Sequence, residues 1–190
     1  MKSLFKKVTS SVWGDKLIPH MDGYSKTMRI AVGALLGSIA VIFQSAGVFT
    51  GIGYVLSMMS TGPLVLASLM SLRIGVMTYF VTSFLLAVLQ PSELLVFLFT
   101  TGLLGVSLGI GLKYLKKSLF IILFAASSLT LGISLLLFVL KFPILGPSVS
   151  SHFNSIVILG TFAFAILYSW IWKTISISGF RMLNKMLTQR

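Results

Sequence analysis

The fold is decided by an apolar stretch, residues 30–48, which reads IAVGALLGSIAVIFQSAGV. It carries no charged residue and has about the 17 to 25 residues that a helix needs to cross roughly 30 Å of hydrocarbon. Five further runs of this kind follow. The six runs are approximately 30–48, 52–72, 74–89, 94–112, 119–140 and 155–172. The sequence therefore predicts an all-α, polytopic integral membrane protein, a bundle of six transmembrane helices.

The basic residues predict a direction for these helices across the membrane. When the connections are assigned alternately to the two faces, one face receives six basic residues before the first run, Arg73, the group Lys113, Lys116 and Lys117, and four after residue 172. The other face receives Lys141 alone, so the division is fourteen to one. Cytoplasmic loops carry the excess of Lys and Arg. Both termini are therefore predicted to be cytoplasmic, in a multi-pass protein of a bacterial plasma membrane.

Composition supports this class and suggests the organisation of the chain. It is 56% hydrophobic and 9% charged, with a mean hydropathy of +1.03, far more apolar than a soluble domain. We predict a basic cytoplasmic leader with an interfacial amphipathic segment (1–29), the transmembrane domain (30–172) and a basic amphipathic C-terminal helix (173–190). The net charge of +12 is spread over short segments that flank the predicted helices. Anionic lipid headgroups, and not nucleic acid, are its expected partners.

Catalytic chemistry is not expected, because the residues that would perform it are scarce. The chain has three acids, Asp15, Asp22 and Glu93, and no cysteine. Its two histidines, His20 and His152, fall on opposite faces in the predicted topology. Metal-dependent enzymes need clustered carboxylates or histidines, and no phosphate-binding glycine loop is present. We therefore predict no catalytic residue, no metal and no cofactor.

The rare polar residues meet on the face opposite the basic segments. Small-molecule sites combine apolar walls with a few convergent polar groups. Glu93 would accept a hydrogen bond from a ligand amine or hydroxyl, and Lys141 would pair with a ligand carboxylate. Ordinary solvated loops are the alternative for each residue. The candidate ligand-binding residues are Gln44, Tyr54, Gln90, Glu93, Lys141, His152 and Asn154.

Small and hydroxyl-bearing residues within the runs predict close helix contacts. Gly33 and Gly37, and again Gly105 and Gly109, lie four residues apart, a spacing that lets helix backbones approach. Each pair either packs inside the bundle or presents a partner-helix interface to another membrane protein. In the second run, Ser57, Ser60 and Thr61 precede Pro63, and such hydroxyls bond a preceding carbonyl or a neighbouring helix. Pro63 removes one backbone hydrogen bond and predicts a kink near residues 60–63.

Over residues 28–172 the chain resembles a substrate-binding S component of energy-coupling factor transporters, or a related six-span family. The resemblance is carried by the small residues of 31–40, by Gly62 and Pro63, by the turn 73–75, by residues 89–91 and by the glycine-rich, then basic, stretch 102–117. It implies a vitamin- or micronutrient-binding subunit whose pocket opens outward. It also implies a membrane coupling subunit, contacted by small residues of helix one such as Gly33 and Gly37, and two ATPases.

Three functions are therefore considered. The first is the substrate-capture subunit of a small-molecule uptake transporter, energised by partner subunits because the chain has no nucleotide-binding motif of its own. The second is a non-enzymatic membrane scaffold or assembly protein that acts through its glycine faces or its C-terminal amphipathic helix. The third is a small self-sufficient permease or channel, for which the sequence offers only hydroxyls and glycines along the path.

Overall fold

The computed structural model describes residues 25–49, 51–145 and 154–188, with side chains up to residue 179, and these residues form helices and no strand. Six helices are long and apolar enough to cross a membrane, which confirms the predicted all-helical membrane fold. The helices are α1 (Lys26–Val48), α2 (Ile52–Met70), α3 (Leu72–Leu89), α4 (Pro91–Tyr114), α5 (Ser118–Val139) and α6 (Ser155–Thr188).

The connections between the first five helices are short. Ser71 alone, in an extended conformation, separates α2 from α3, and Gln90 alone separates α3 from α4. Pro91 then occupies the first position of α4, where its missing N–H would have no partner in the helix. Arg73, which the sequence placed in a turn, lies in the first turn of α3. Such short connections make each helix pack antiparallel to the next.

The contacts between alternate helices confirm that they run parallel. In α1 and α3, Gly33 approaches Thr78 and Gly37 approaches Thr82, so both residue numbers rise together. The bundle therefore has two ends, which we name by their residues. The Gln90 end is where α1, α3 and α5 finish and α2, α4 and α6 begin. The basic end is the opposite one, where Arg73, Lys113 and Lys116 lie.

Helices α2 and α4 form the centre of the bundle. Helices α1 and α3 pack on one side of this pair, and α5 and α6 pack on the other. Two apolar clusters result. One lies between α1, α2, α3 and α4 and includes Leu64, Leu86 and Phe97, and the other lies between α2, α4, α5 and α6 and includes Leu104 and Leu129.

Three local irregularities interrupt the helices. Helix α2 consists of Ile52–Met59 and Thr61–Met70, joined at Ser60, which is the interruption expected from Pro63. Helix α4 contains a π turn over Phe97–Thr101, and α5 contains one over Leu135–Val139. A π turn contains one residue more than a regular turn of an α-helix and often occurs at functional sites.

Helix α6 continues past the predicted domain boundary. Its backbone is one helix over Ser155–Thr188, 34 residues, or about 50 Å at 1.5 Å per residue. The boundary between residues 172 and 173 therefore falls within a continuous helix. Trp172 and Lys173 are buried, and Lys173 Nζ donates a hydrogen bond to Ser118 Oγ at the start of α5. The predicted leader lies outside the described residues, apart from its last five.

The outer surface of the bundle is apolar. Large side chains such as Ile42, Phe84, Leu131 and Leu167 are each more than 60% exposed. A protein in water rarely presents so many large apolar side chains together. These surfaces are suited to contact with lipid chains, in agreement with a multi-pass membrane protein.

Candidate functional site

A buried hydrogen-bond network between α1, α2 and α4 lies near the Gln90 end, and Gln44 is its centre. The Gln44 side chain is fully buried. Its Nε2 donates to Ser57 Oγ at 2.8 Å and to a carboxylate oxygen of Glu93 at 2.9 Å. Its Oε1 accepts from Ser60 Oγ at 2.8 Å and from Thr101 Oγ1 at 2.7 Å. All four hydrogen-bonding positions of the amide are therefore occupied.

Backbone geometry brings Glu93 to this network. Glu93 is in the first turn of α4 and is half-buried. Gly47 of α1 faces it so closely that a Cβ there would lie 2.7 Å from one carboxylate oxygen and 2.9 Å from the other. Only a glycine at position 47 leaves room for the carboxylate against α1, and from there it reaches Gln44, three residues earlier.

The π turn of α4 places Thr101 on the same side as Glu93. These residues are eight apart, which in a regular helix of 3.6 residues per turn separates them by about 80°. The π turn between them contains one extra residue, which offsets most of this rotation. Both side chains therefore contact Gln44. The Thr101 carbonyl accepts a further hydrogen bond from Thr61 Oγ1 at 3.2 Å. The network thus connects the three helices through both side chains and backbone.

The other predicted ligand-binding residues are arranged more openly around the Gln90 end. Tyr54 is exposed on the first turn of α2. Gln90 is half-buried and donates through Nε2 to Ser92 Oγ at 3.1 Å. Lys141 is exposed and has a φ of 52°. Asn154 is exposed, and its Oδ1 accepts from the backbone N–H of Ile156 at 2.9 Å, which caps α6.

The structure thus brings Gln44 and Glu93 together, whereas the hydrogen bonds of the described residues do not join Lys141 or Asn154 to them. Lys141 follows α5 and Asn154 precedes α6, and these helices lie on the other side of the central pair. His152 lies outside the described residues. Among the six predicted residues that the structure describes, Gln44 and Glu93 therefore form one close pair.

The four predicted interface glycines all lie at contacts between helices of this chain. A Cβ on Gly33 would lie 2.7 Å from Ile74 Cγ2, and one on Gly37 would lie 3.2 Å from Thr82 Oγ1. A Cβ on Gly105 would lie 2.5 Å from Leu64 Cβ, and one on Gly109 would lie 2.2 Å from Ser68 Cβ. All four glycines are buried, and Gly33 also lines a shallow groove between α1 and α3. Each pair therefore supports close packing inside the bundle.

From the sequence, Gln44 and Glu93 were predicted only as separate members of an outer group, and Ser57 and Ser60 only as helix hydroxyls. Thr101 was not predicted as part of a site. The available signal was the pair of adjacent threonines, Thr100 and Thr101, in an otherwise apolar run. The π turn that orients Thr101 has no signature in the sequence.

The network is suited to recognition by hydrogen bonds. Among the residues that the structure describes, Glu93 is the only acid, and no three His, Cys, Asp or Glu residues group in a way that could hold a metal ion. The half-buried carboxylate lies above a fully buried amide, so a donor that approaches from the Gln90 end meets Glu93 first. A carboxylate accepts hydrogen bonds, so the expected ligand group is a cation or a hydroxyl.

No model of a known protein family, no curated protein and no solved structure matches this chain.

Proposed function

We propose that this protein is the substrate-capture subunit of a small-molecule uptake transporter, and that its substrate binds at the Gln90 end. The observation that carries the proposal is the Gln44–Glu93 network. It places the only acid of the described residues at the mouth of a buried polar cluster, within helices that are otherwise apolar. Polar groups at such positions in membrane helices commonly belong to substrate pathways.

The proposed orientation directs the Gln90 end outward and both termini into the cytoplasm. This assignment is based on the excess of basic residues at the other end of the bundle. A vitamin or micronutrient with an amine or hydroxyl group would then meet Glu93 from outside. Energy would come from partner subunits, a membrane coupling protein and ATPases, because the sequence carries no nucleotide-binding motif.

The test is a search for a bound small molecule, followed by a charge-neutral variant. The protein is purified in mild detergent, and native mass spectrometry identifies a compound that co-purifies with it. The variant Glu93→Gln keeps the side chain's size and can still accept from Gln44, but it lacks the negative charge. For a cationic ligand we expect at least a tenfold loss of affinity, because a hydrogen bond to a charged group contributes about 1.5 to 3 kcal/mol.

The control is Ser155→Ala, at the exposed first position of α6 at the same end of the bundle. It should leave ligand affinity unchanged. An equal affinity of Glu93→Gln and the wild type would remove Glu93 from the site. Uptake in cells that is unaffected by loss of the coupling subunits would contradict the capture-subunit function as a whole.

A membrane scaffold is the second candidate, and the length of α6 favours it. About 16 Å of helix follows Ile177, its last buried residue among the described side chains, before Thr188, at 1.5 Å per residue. A helix that continues past its buried contacts can present one face to a protein partner. The test is chemical crosslinking from this segment in intact membranes. A reproducible protein partner supports the scaffold, whereas recovery of lipid adducts alone contradicts it.

A further inference from the structure

A cleft at the basic end separates the first turns of α1 and α3. Its volume is about 540 Å³. The polar residues that line it are Lys26, Arg29, Ser71 and Arg73, and the apolar ones are Ile30, Ile74 and Met77. This cleft lies at the opposite end of the bundle from Gln44 and Glu93, so it is independent of the proposed substrate site.

The cleft concentrates positive charge. Lys26, Arg29 and Arg73 come from two different helices and face the same space. Glu93, the one acid among the described residues, contacts Gln44, which is 18 residues beyond Lys26 along α1, or about 27 Å. It is therefore too far away to compensate these cations. Two Arg guanidinium groups together with a Lys ammonium suit a phosphate group, which accepts hydrogen bonds in several directions.

The floor of the cleft leads into a shallow apolar groove between α1 and α3. Ile30, Ile74 and Met77 line both the cleft and the groove. The groove continues along Gly33 and Ala34 of α1 and along Thr78 and Val81 of α3. From Ile74 to Val81 it extends about 10 Å along the helix axis. Gly33 has no side chain and Ala34 has only a methyl group, so neither fills this groove.

A cationic cleft that continues into an apolar groove is complementary to an amphiphile, which has an anionic head and an apolar chain. We propose that the two together bind an anionic phospholipid, with the headgroup phosphate between Arg29, Arg73 and Lys26 and an acyl chain along the α1–α3 groove. A soluble anion would use the cleft alone and would leave the groove without an occupant. The groove faces the surface that lipid chains contact, whereas a protein partner would need a larger complementary face.

The charge arm of the test uses the full protein in nanodiscs of phosphatidylcholine with increasing amounts of phosphatidylglycerol. Native mass spectrometry counts the phosphatidylglycerol molecules that each variant retains. We expect the double variant Arg29→Gln/Arg73→Gln to bind this lipid about 100-fold more weakly, roughly tenfold for each charge-assisted hydrogen bond to the phosphate that is lost. The control variant Lys113→Gln/Lys116→Gln removes two charges at the same end but outside the cleft. It should change retention less than twofold.

The chain arm tests the groove. Ala34→Phe fills it, whereas Ala31→Phe makes the same change at an exposed position of α1 outside it. Ala34→Phe should weaken binding of long-chain phosphatidylglycerol about tenfold and leave binding of dihexanoyl phosphatidylglycerol unchanged, because the short chains do not extend far along the groove. Ala31→Phe should affect binding of neither lipid. Thermal unfolding of each variant identifies any that fails to fold, and the matched variants then provide the comparison.

Several results would overturn the proposal. One is equal loss of lipid in the cleft and control charge variants, which would indicate general attraction to the basic end. Another is inorganic phosphate that competes with the lipid at similar concentrations, which would assign the cleft to a soluble anion. A third is a change in oligomer mass on Ala34→Phe with unchanged lipid retention, which would assign the groove to a second copy of the chain.

Discussion

Ser68 of α2 lies in close contact with two neighbouring helices, α3 and α4. A Cβ on Gly75 of α3 would lie 2.3 Å from Ser68 Oγ, and one on Gly109 of α4 would lie 2.2 Å from Ser68 Cβ. Distances this short leave no room for a methyl group on either neighbouring helix. In a bilayer, helices gain little from burying apolar surface against one another, so such close contact is a main source of their association.

Gly109→Ala is therefore expected to destabilise the protein, because its new methyl group would meet the rigid Cβ of Ser68 and force α2 and α4 apart. Overpacking of this kind costs about 2 kcal/mol. The matched control is Gly160→Ala in α6, where a Cβ would have nothing within 4 Å, and we expect it to stabilise the protein by up to about 1 kcal/mol because alanine favours the helix more than glycine does. Equilibrium unfolding in mixed detergent micelles measures both. Equal stability of the two variants would contradict the close α2–α4 contact.

At the residue scale, the sequence placed Gln44 and Glu93 in one group of polar residues at the same membrane face, but it did not predict that their side chains contact each other. A glutamine in an apolar run and a lone glutamate beside Pro91 are visible in the sequence. Their contact requires Gly47 to face Glu93 and α4 to pack beside α1. Both conditions depend on how the helices are arranged around the central pair, and helix periodicity contains no information on that arrangement.

At the element scale, the π turn of α4 determines the register of everything that follows it. Residues 102–114 carry Gly105 and Gly109, which must face α2. Residues 91–96 carry Glu93, which must face α1. The extra residue within Phe97–Thr101 rotates one part of α4 relative to the other, so that both parts can face the helix they contact. Pro63 predicted the break in α2. No residue type indicates a π turn, so the irregularity in α4 could not be predicted from the sequence.

The π turn predicts an unequal tolerance to single-residue deletions. Deletion of Leu98, within the turn, would leave Glu93 and Thr101 seven residues apart, only about 20° short of two full turns of a regular helix. Deletion of Leu103, just after the turn, would rotate Gly105 and Gly109 by about 100° away from α2. We therefore expect a folded product for the first deletion and loss of folding for the second. Detergent-solubilised yield and size-exclusion profiles measure the difference, and the reverse ranking would contradict this account of the turn.

At the scale of the whole molecule, length and hydropathy were sufficient to predict six membrane helices, and their ends agree with the structure to within a few residues in most cases. Ser71 and Gln90 show why the connections could be predicted less well, since single residues reverse the chain there and leave little loop sequence to recognise. The division into a central pair and two flanking pairs depends on side-chain fit, so it emerged only from the structure.

The proposed orientation can be tested with single cysteines, because the chain contains none. Lys141→Cys lies at the Gln90 end, and Lys116→Cys lies at the basic end; both side chains are exposed. With the Gln90 end outward, a membrane-impermeant maleimide should label Lys141→Cys in intact cells. Lys116→Cys should react only after the cells are opened. The opposite pattern would place both termini outside and would contradict the proposed route of substrate entry.

The buried network around Gln44 also has a consequence for how the protein is made. Helix α1 is synthesised first, yet all four partners of the Gln44 amide belong to α2 and α4. We therefore expect Gln44→Leu to act in opposite directions at two stages. It should favour membrane insertion of α1 expressed alone, because no unpaired amide then enters the bilayer. It should destabilise the finished protein by about 2 kcal/mol, from four bonds of roughly 0.6 kcal/mol each. Insertion assays on truncated chains and unfolding of the full protein measure the two effects separately.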